Sequence, residues 1–124
     1  MTFTDCKDAS SYEFQPTLAS CSTEPATFSA GSTVKVSIPG TTAHKSSINN
    51  LNVNVYWAGA LLKTDNFQES IETTAGQELT VTFSLDVSVY SPNGDYVIEG
   101  FLQGDDQATG ENGNLGCLHG EFTL

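Results

Sequence analysis

The stretch LTVTFSLDVSV, Leu79 to Val89, constrains this chain more than any other. Leu79, Val81, Phe83, Leu85, Val87 and Val89 fall on one side of an extended backbone; Thr80, Thr82, Ser84, Asp86 and Ser88 fall on the other. A strict period of two does not suit a helix, whose faces repeat about every 3.6 residues. It makes a strand with one dry and one wet face, as antiparallel sheets allow. The same alternation runs through Tyr12, Phe14, Pro16 and Leu18, and through Val34, Val36 and Ile38. It recurs in Leu51, Val53, Val55 and Trp57, interleaved with Asn50, Asn52, Asn54 and Tyr56. Clusters of Gly, Pro, Asn, Ser and Thr punctuate these runs.

SPNGDY, Ser91 to Tyr96, reads as a turn between two strands, with Asn93-Gly94 as a hairpin signal because both residues accept positive φ. YVIEGFLQG then forms a strand, DDQATGENGN (Asp105 to Asn114) an exposed loop, and GCLHGEFTL the last strand. Roughly seven short strands with regular turn signals predict an all-β, immunoglobulin-like antiparallel sandwich of two sheets. At 124 residues, with no internal repeat or linker, the chain reads as one domain, 1–124. The large apolar side chains on the dry faces suit either a filled core or a lined cavity, and periodicity does not separate the two.

Charge narrows the partners. Fifteen acidic residues against four lysines and no arginine leave a net charge of −11, which excludes nucleic acid, whose phosphates demand Lys and Arg. Long-lived attachment to anionic membranes at neutral pH is not expected, which leaves room for transient membrane contact. The start, MTFTDCKDASS, has neither a basic n-region nor an apolar h-region, as expected of a cytosolic protein or of a mature secreted chain without its signal peptide. Such acidity serves solubility, or residence in an acidic compartment.

Chemistry-bearing motifs are scarce. His44 and His119 are too few and too far apart for metal ligands, and no metal or other cofactor is expected. Cys117 and His119 share a face opposite Leu118, Gly120 and Phe122, but so acidic a chain offers little to stabilise a thiolate. There is no G-x-S-x-G and no recognisable catalytic carboxylate pair, so no enzyme is expected. Asp105, Asp106, Glu111, Asn112 and Asn114 lack EF-hand spacing and read as a solvated loop. Three cysteines permit at most one intramolecular disulfide with one thiol left over; in a reducing compartment all three would be buried free thiols.

Across its whole length the chain resembles the ML family, the MD-2-related lipid-recognition proteins. The resemblance rests on the order of TFTDC, SCSTEPATFSAGSTVKVSI, NLNVNVYWAG, SPNGDYVIEGFLQ and LGCLHGEFTL. Asp5-Cys6 resembles the family's early D-C, Pro25 and Gly31 its turn before the next strand, and Pro92, Gly94 and Tyr96 its P-x-G-x-Y. Gly59 with Leu61 and Leu62 looks most like the fungal phosphatidylglycerol/phosphatidylinositol transfer branch; the sterol-transfer branch is the other near likeness. Cys117 resembles the family's late cysteine, which is joined there to the early one, so the resemblance implies a Cys6–Cys117 disulfide. The chain also departs from the family. Ala26 stands where a partner of Cys21 would fall, and Phe67 and Thr73 stand where a third disulfide would be. Cys21 is therefore expected to be unpaired.

The resemblance implies an apolar cavity between the sheets that buries one sterol or phospholipid without bond-making. Alternation, with the family geometry, points to Phe14, Val36, Val53, Val55, Trp57, Leu61, Val81, Phe83, Leu85, Tyr96, Ile98, Phe101, Leu118 and Phe122 as its lining. Phe101 faces outward on strict alternation from Tyr96 and Ile98 unless Gly100 marks a bulge. Lys63 falls near the expected mouth, as a solvent-exposed lysine or as a contact for a lipid phosphate. The resemblance further implies a monomeric carrier in a secreted, endolysosomal or vacuolar setting. The alternatives are an adhesion or carbohydrate-binding sandwich with a filled core, and a signal or defence protein that presents a bound lipid to a receptor.

Overall fold

The computed structural model describes every residue except 8 and 107–110, and the side chains of all of these but 106, 111 and 112. Among the described residues nine strands form in order: β1 (Thr2–Thr4), β2 (Phe14–Pro16), β3 (Ser22–Glu24), β4 (Thr33–Thr42), β5 (Ser46–Trp57), β6 (Ala60–Thr73), β7 (Glu78–Asp86), β8 (Asp95–Asp106) and β9 (Glu111–Thr123). Two single 3-10 turns precede and follow β2, and there is no α-helix among the described residues. Sheet one has five strands in the order β1-β9-β8-β5-β6; in sheet two, β4 carries β2 and β3 along one edge and β7 along the other. Every pairing is antiparallel, and the two sheets pack as a sandwich.

The alternation read from the sequence sets the buried faces. Val34, Val36 and Ile38 of β4 and Val81, Phe83 and Leu85 of β7 point inward, against Leu51, Val53 and Val55 of β5 and Tyr96, Ile98 and Leu102 of β8. The interleaved residues form a wet outer face on sheet one. There Asn50, Asn52, Asn54, Thr64, Asn66, Gln103 and Asn114 hydrogen-bond one another across β6, β5, β8 and β9.

Four features differ from the sequence expectation. Asn93-Gly94 does not close a hairpin: β7 lies in sheet two and β8 in sheet one, so the segment crosses between sheets. Gly94, at φ 133°, instead exchanges both backbone hydrogen bonds with Leu124, each at 3.0 Å. The tight hairpin is β5–β6, turned by Ala58 and Gly59 at φ 50° and 82°, the paired positive values that suit strand twist. Strand β7 stops at Asp86, so Val87 is still buried while Val89 is exposed. Finally, β8 and β9 run into the stretch expected to be a loop, pairing as far as Asp106 with Glu111; the centre of that stretch lies outside the described residues.

Cys6 and Cys117 form a disulfide across 111 positions, and Cys21 is free. The bond fastens the segment after β1 to the outer face of β9. It suits an oxidising compartment.

Candidate functional site

The sandwich is shut at one end and open at the other. At the shut end, Phe14 lies fully buried beneath two glycines. A Cβ at Gly40 would sit 2.5 Å from the Phe14 ring, and one at Gly116 would sit 3.0 Å from Phe14 Cβ. The missing side chains admit the ring, which plugs the gap between β4 and β9.

At the open end, β5, β6, β7, β8 and β9 diverge around an apolar pocket of about 280 Å³. Val55, Leu85, Val87, Tyr96 and Phe122 form its walls; Leu62, Lys63, Asp86, Ser88, Tyr90 and Ser91 form its rim. One wall is a stack of rings. Tyr96 and Phe122 lie parallel within 8° at 4.9 Å, and Phe28 packs on Phe122 at 4.5 Å. Tyr96 is held by its hydroxyl, which donates to the Pro92 carbonyl at 2.6 Å. Beyond this stack lies a second cleft of about 580 Å³, lined by Thr2, Thr27, Asp95, Glu121 and Thr123 among others. It is larger but polar, and so has little to offer an apolar ligand.

Local irregularity builds the rim. Val55 pairs with Lys63 and Tyr56 with Leu61, so the register slips by one residue at Leu62. The slip brings Leu62 to the pocket and leaves Lys63 on the inner face opposite Val55. Lys63 reaches across the gap between the edge strands of the two sheets. Its Nζ donates to the Asp86 backbone oxygen at 3.0 Å and lies 3.1 Å from Asp65 Oδ2. Farther along the same gap, Phe67 of β6 meets Phe83 of β7, with ring centroids 6.0 Å apart. Lys63, Asp65 and Glu69 sit half-buried at inward positions of edge strand β6, a charge placement that discourages edge-to-edge aggregation.

Of the expected lining residues, Val55, Leu85, Tyr96 and Phe122 meet at this pocket. Val36, Val53, Val81, Phe83, Ile98 and Leu118 are buried in the filled part of the core, and Phe14 is the plug. Trp57 is half-buried, its indole Nε1 donating to the Asn93 carbonyl at 3.2 Å. Two expectations are corrected. Leu61 is 56% exposed, because the slip beside Val55 turns its neighbour Leu62 to the pocket instead. Phe101 pairs with Asn52 and Cys117 on the outer face, because no bulge forms at Gly100. The expected lining left out Val87, which alternation does place on the dry face, and Leu62, which the slip in β6 turns to the pocket; it also left out Tyr90, Ser88 and Ser91, which lie beyond the end of β7 where period two no longer applies.

Away from the pocket, Glu13 is buried at the β4–β5 turn. Its carboxylate accepts from the His44 backbone N–H at 3.1 Å and from the Ser46 hydroxyl. His119 stands on the outer face, 3.7 Å from Glu121. No group of three or more metal-ligating side chains occurs among the described residues. No protein-family model matches the chain, and no curated protein matches it significantly.

Proposed function

We propose that this protein binds and transfers a lipid without catalysis, taking the apolar part of the molecule into the pocket at the open end of the sandwich. The observation that carries this reading is the chemistry of that pocket. Five apolar walls lie between the sheets, while the polar groups stand at the rim. An apolar tail leaving water for such walls gains about 25 cal/mol per Å² buried, and a few rim groups suffice to orient a head. The exposed apolar side chains of Leu62 and Tyr90 beside the opening would ease transient contact with a bilayer during exchange. Membership of the ML family is part of the same proposal. It is supported by the motif order, by the two-sheet architecture and by the Cys6–Cys117 bridge, as is a secreted or endolysosomal location.

Native mass spectrometry of the purified protein, with organic extraction of bound species, tests the reading. A co-purified lipid that is lost in a Ser91→Trp variant, whose indole would occupy the rim, is the expected result. If neither co-purified lipid nor binding from a panel of sterols, phospholipids and single-chain lipids is found, the carrier reading fails. The filled-core interaction module would then take its place.

A further inference from the structure

The rim holds one cation, Lys63, with the Asp65 carboxylate beside it; Asp86 also borders the pocket, but its carboxylate turns to the outer face of β7, toward Thr33. Lys63 has three N–H donors. One is directed to the Asp86 carbonyl and one to Asp65, which leaves a third for a ligand. Its positive charge is already matched by Asp65 at 3.1 Å. Beyond that matched pair the chain as a whole carries −11, and the Asp86 carboxylate contributes to it from the outer face of β7, where it accepts from Thr33 Oγ1 at 2.8 Å. An anionic head would find no unmatched positive charge here and would add to the negative charge of the chain. A hydroxyl-bearing head meets no such penalty. It can accept from Lys63, and it can also accept from Ser88, whose Oγ already takes the Tyr90 N–H at 3.1 Å and whose own O–H remains to donate.

Size restricts the other end of the ligand. A volume of about 280 Å³ sits at the lower edge of the roughly 300–1,000 Å³ typical of small-molecule pockets. Val55, Leu85, Tyr96 and Phe122 are buried in the packed core, so admitting a second chain or a fused-ring body would have to displace them. A single flexible chain fits without that.

Resting on the carrier reading, we infer that the ligand is a neutral single-chain amphiphile with a hydroxyl-bearing head, such as a monoacylglycerol, and that Lys63 and Ser88 hold the head.

The test is calorimetric titration of delipidated protein with 1-monodecanoylglycerol, decanoate, didecanoylphosphatidylglycerol and cholesterol, each below its aggregation threshold. Monodecanoylglycerol is expected to bind at least roughly tenfold tighter than decanoate, because like charges juxtaposed at a site are strongly disfavoured. Lys63→Met weakens monodecanoylglycerol by about fivefold or more, as expected for loss of a charge-assisted hydrogen bond. Asp65→Asn does the opposite for decanoate, strengthening it by about fivefold once Lys63 is uncompensated. Decanoate binding as tightly as monodecanoylglycerol, or unaffected by Asp65→Asn, overturns the neutral head. Tighter binding of cholesterol or the two-chain lipid overturns the single chain while leaving the carrier reading intact. If none of the four binds, the carrier reading itself fails.

Discussion

Breaking the Cys6–Cys117 bond should cost this protein a large part of its stability through its unfolded state. The bond closes a loop of 111 positions. In the chain-entropy treatment such a loop removes about 16 cal/mol/K from the unfolded ensemble, or about 4.8 kcal/mol at 25 °C. The native state pays little strain to make the link, because β1 already pairs with β9 at Thr4 and His119, two positions from each cysteine. With an unfolding entropy of about 2.1 cal/mol/K per residue, 124 residues give about 0.26 kcal/mol/K, so the midpoint should fall by about 18 °C. At a urea slope of about 2 kcal/mol/M the midpoint should move by about 2.4 M. The assay is urea and thermal unfolding, followed by circular dichroism, of three species: oxidised protein, reduced protein, and the Cys6→Ala/Cys117→Ala variant. Reduced protein keeps both side chains, so the difference between the last two isolates packing at Cys117, which is buried. An entropic origin also predicts a steeper urea slope without the bond, since the unlinked unfolded chain exposes more surface. A loss below about 1 kcal/mol with an unchanged slope would refute the reasoning: the ends of the unfolded chain would then already be associated.

Three further outcomes are expected. Glu13→Ala removes the acceptor of the His44 N–H and the Ser46 hydroxyl and should cost about 2–3 kcal/mol in urea unfolding, with a smaller loss for Glu13→Gln, which keeps one oxygen. Gly104→Ala should destabilise by about 3 kcal/mol or prevent folding, because its Cβ would fall 1.9 Å from the Ser47 backbone oxygen on the paired strand, where no side chain can yield. Burial pushes the Cys21 thiol up, so iodoacetamide should modify it more slowly in the folded protein than in urea at the same pH. Because that pKa is raised on folding, its contribution is complete below the ordinary thiol range of about 8.5 and is lost as pH rises through the folded value. Stability should therefore fall at alkaline pH, and less so in Cys21→Ala.

The inward faces of β4, β5, β7 and β8 were legible because alternation is a local property of extended backbone. A residue at i and one at i+2 share a face whatever lies across from them. Strand β6 was not legible. Its inner face carries Lys63, Asp65 and Glu69 alongside Phe67 and Ile71, so it has no clean apolar period, and only pairing with β5 makes it a strand. The same limit hid the route of the chain after β7. Asn93-Gly94 has the local chemistry of a hairpin, but a hairpin needs a partner strand in the same sheet, and β8 pairs instead with β5 and β9 in the other one.

By itself, then, the amino-acid sequence determined that this chain forms an antiparallel sandwich, which side β4, β5, β7 and β8 turn inward, and that an acidic surface would surround an apolar interior. Those are consequences of steric period and charge, both readable residue by residue. Tertiary structure decided where the interior is filled and where it is open. Phe14 plugs one end only because Gly40 and Gly116, far apart in the chain, meet above it. The pocket opens at the other end because a one-residue slip at Leu62 and the early end of β7 leave Val55, Leu85, Val87 and Phe122 without a common filler. A void is the failure of distant surfaces to meet, and no local pattern encodes it.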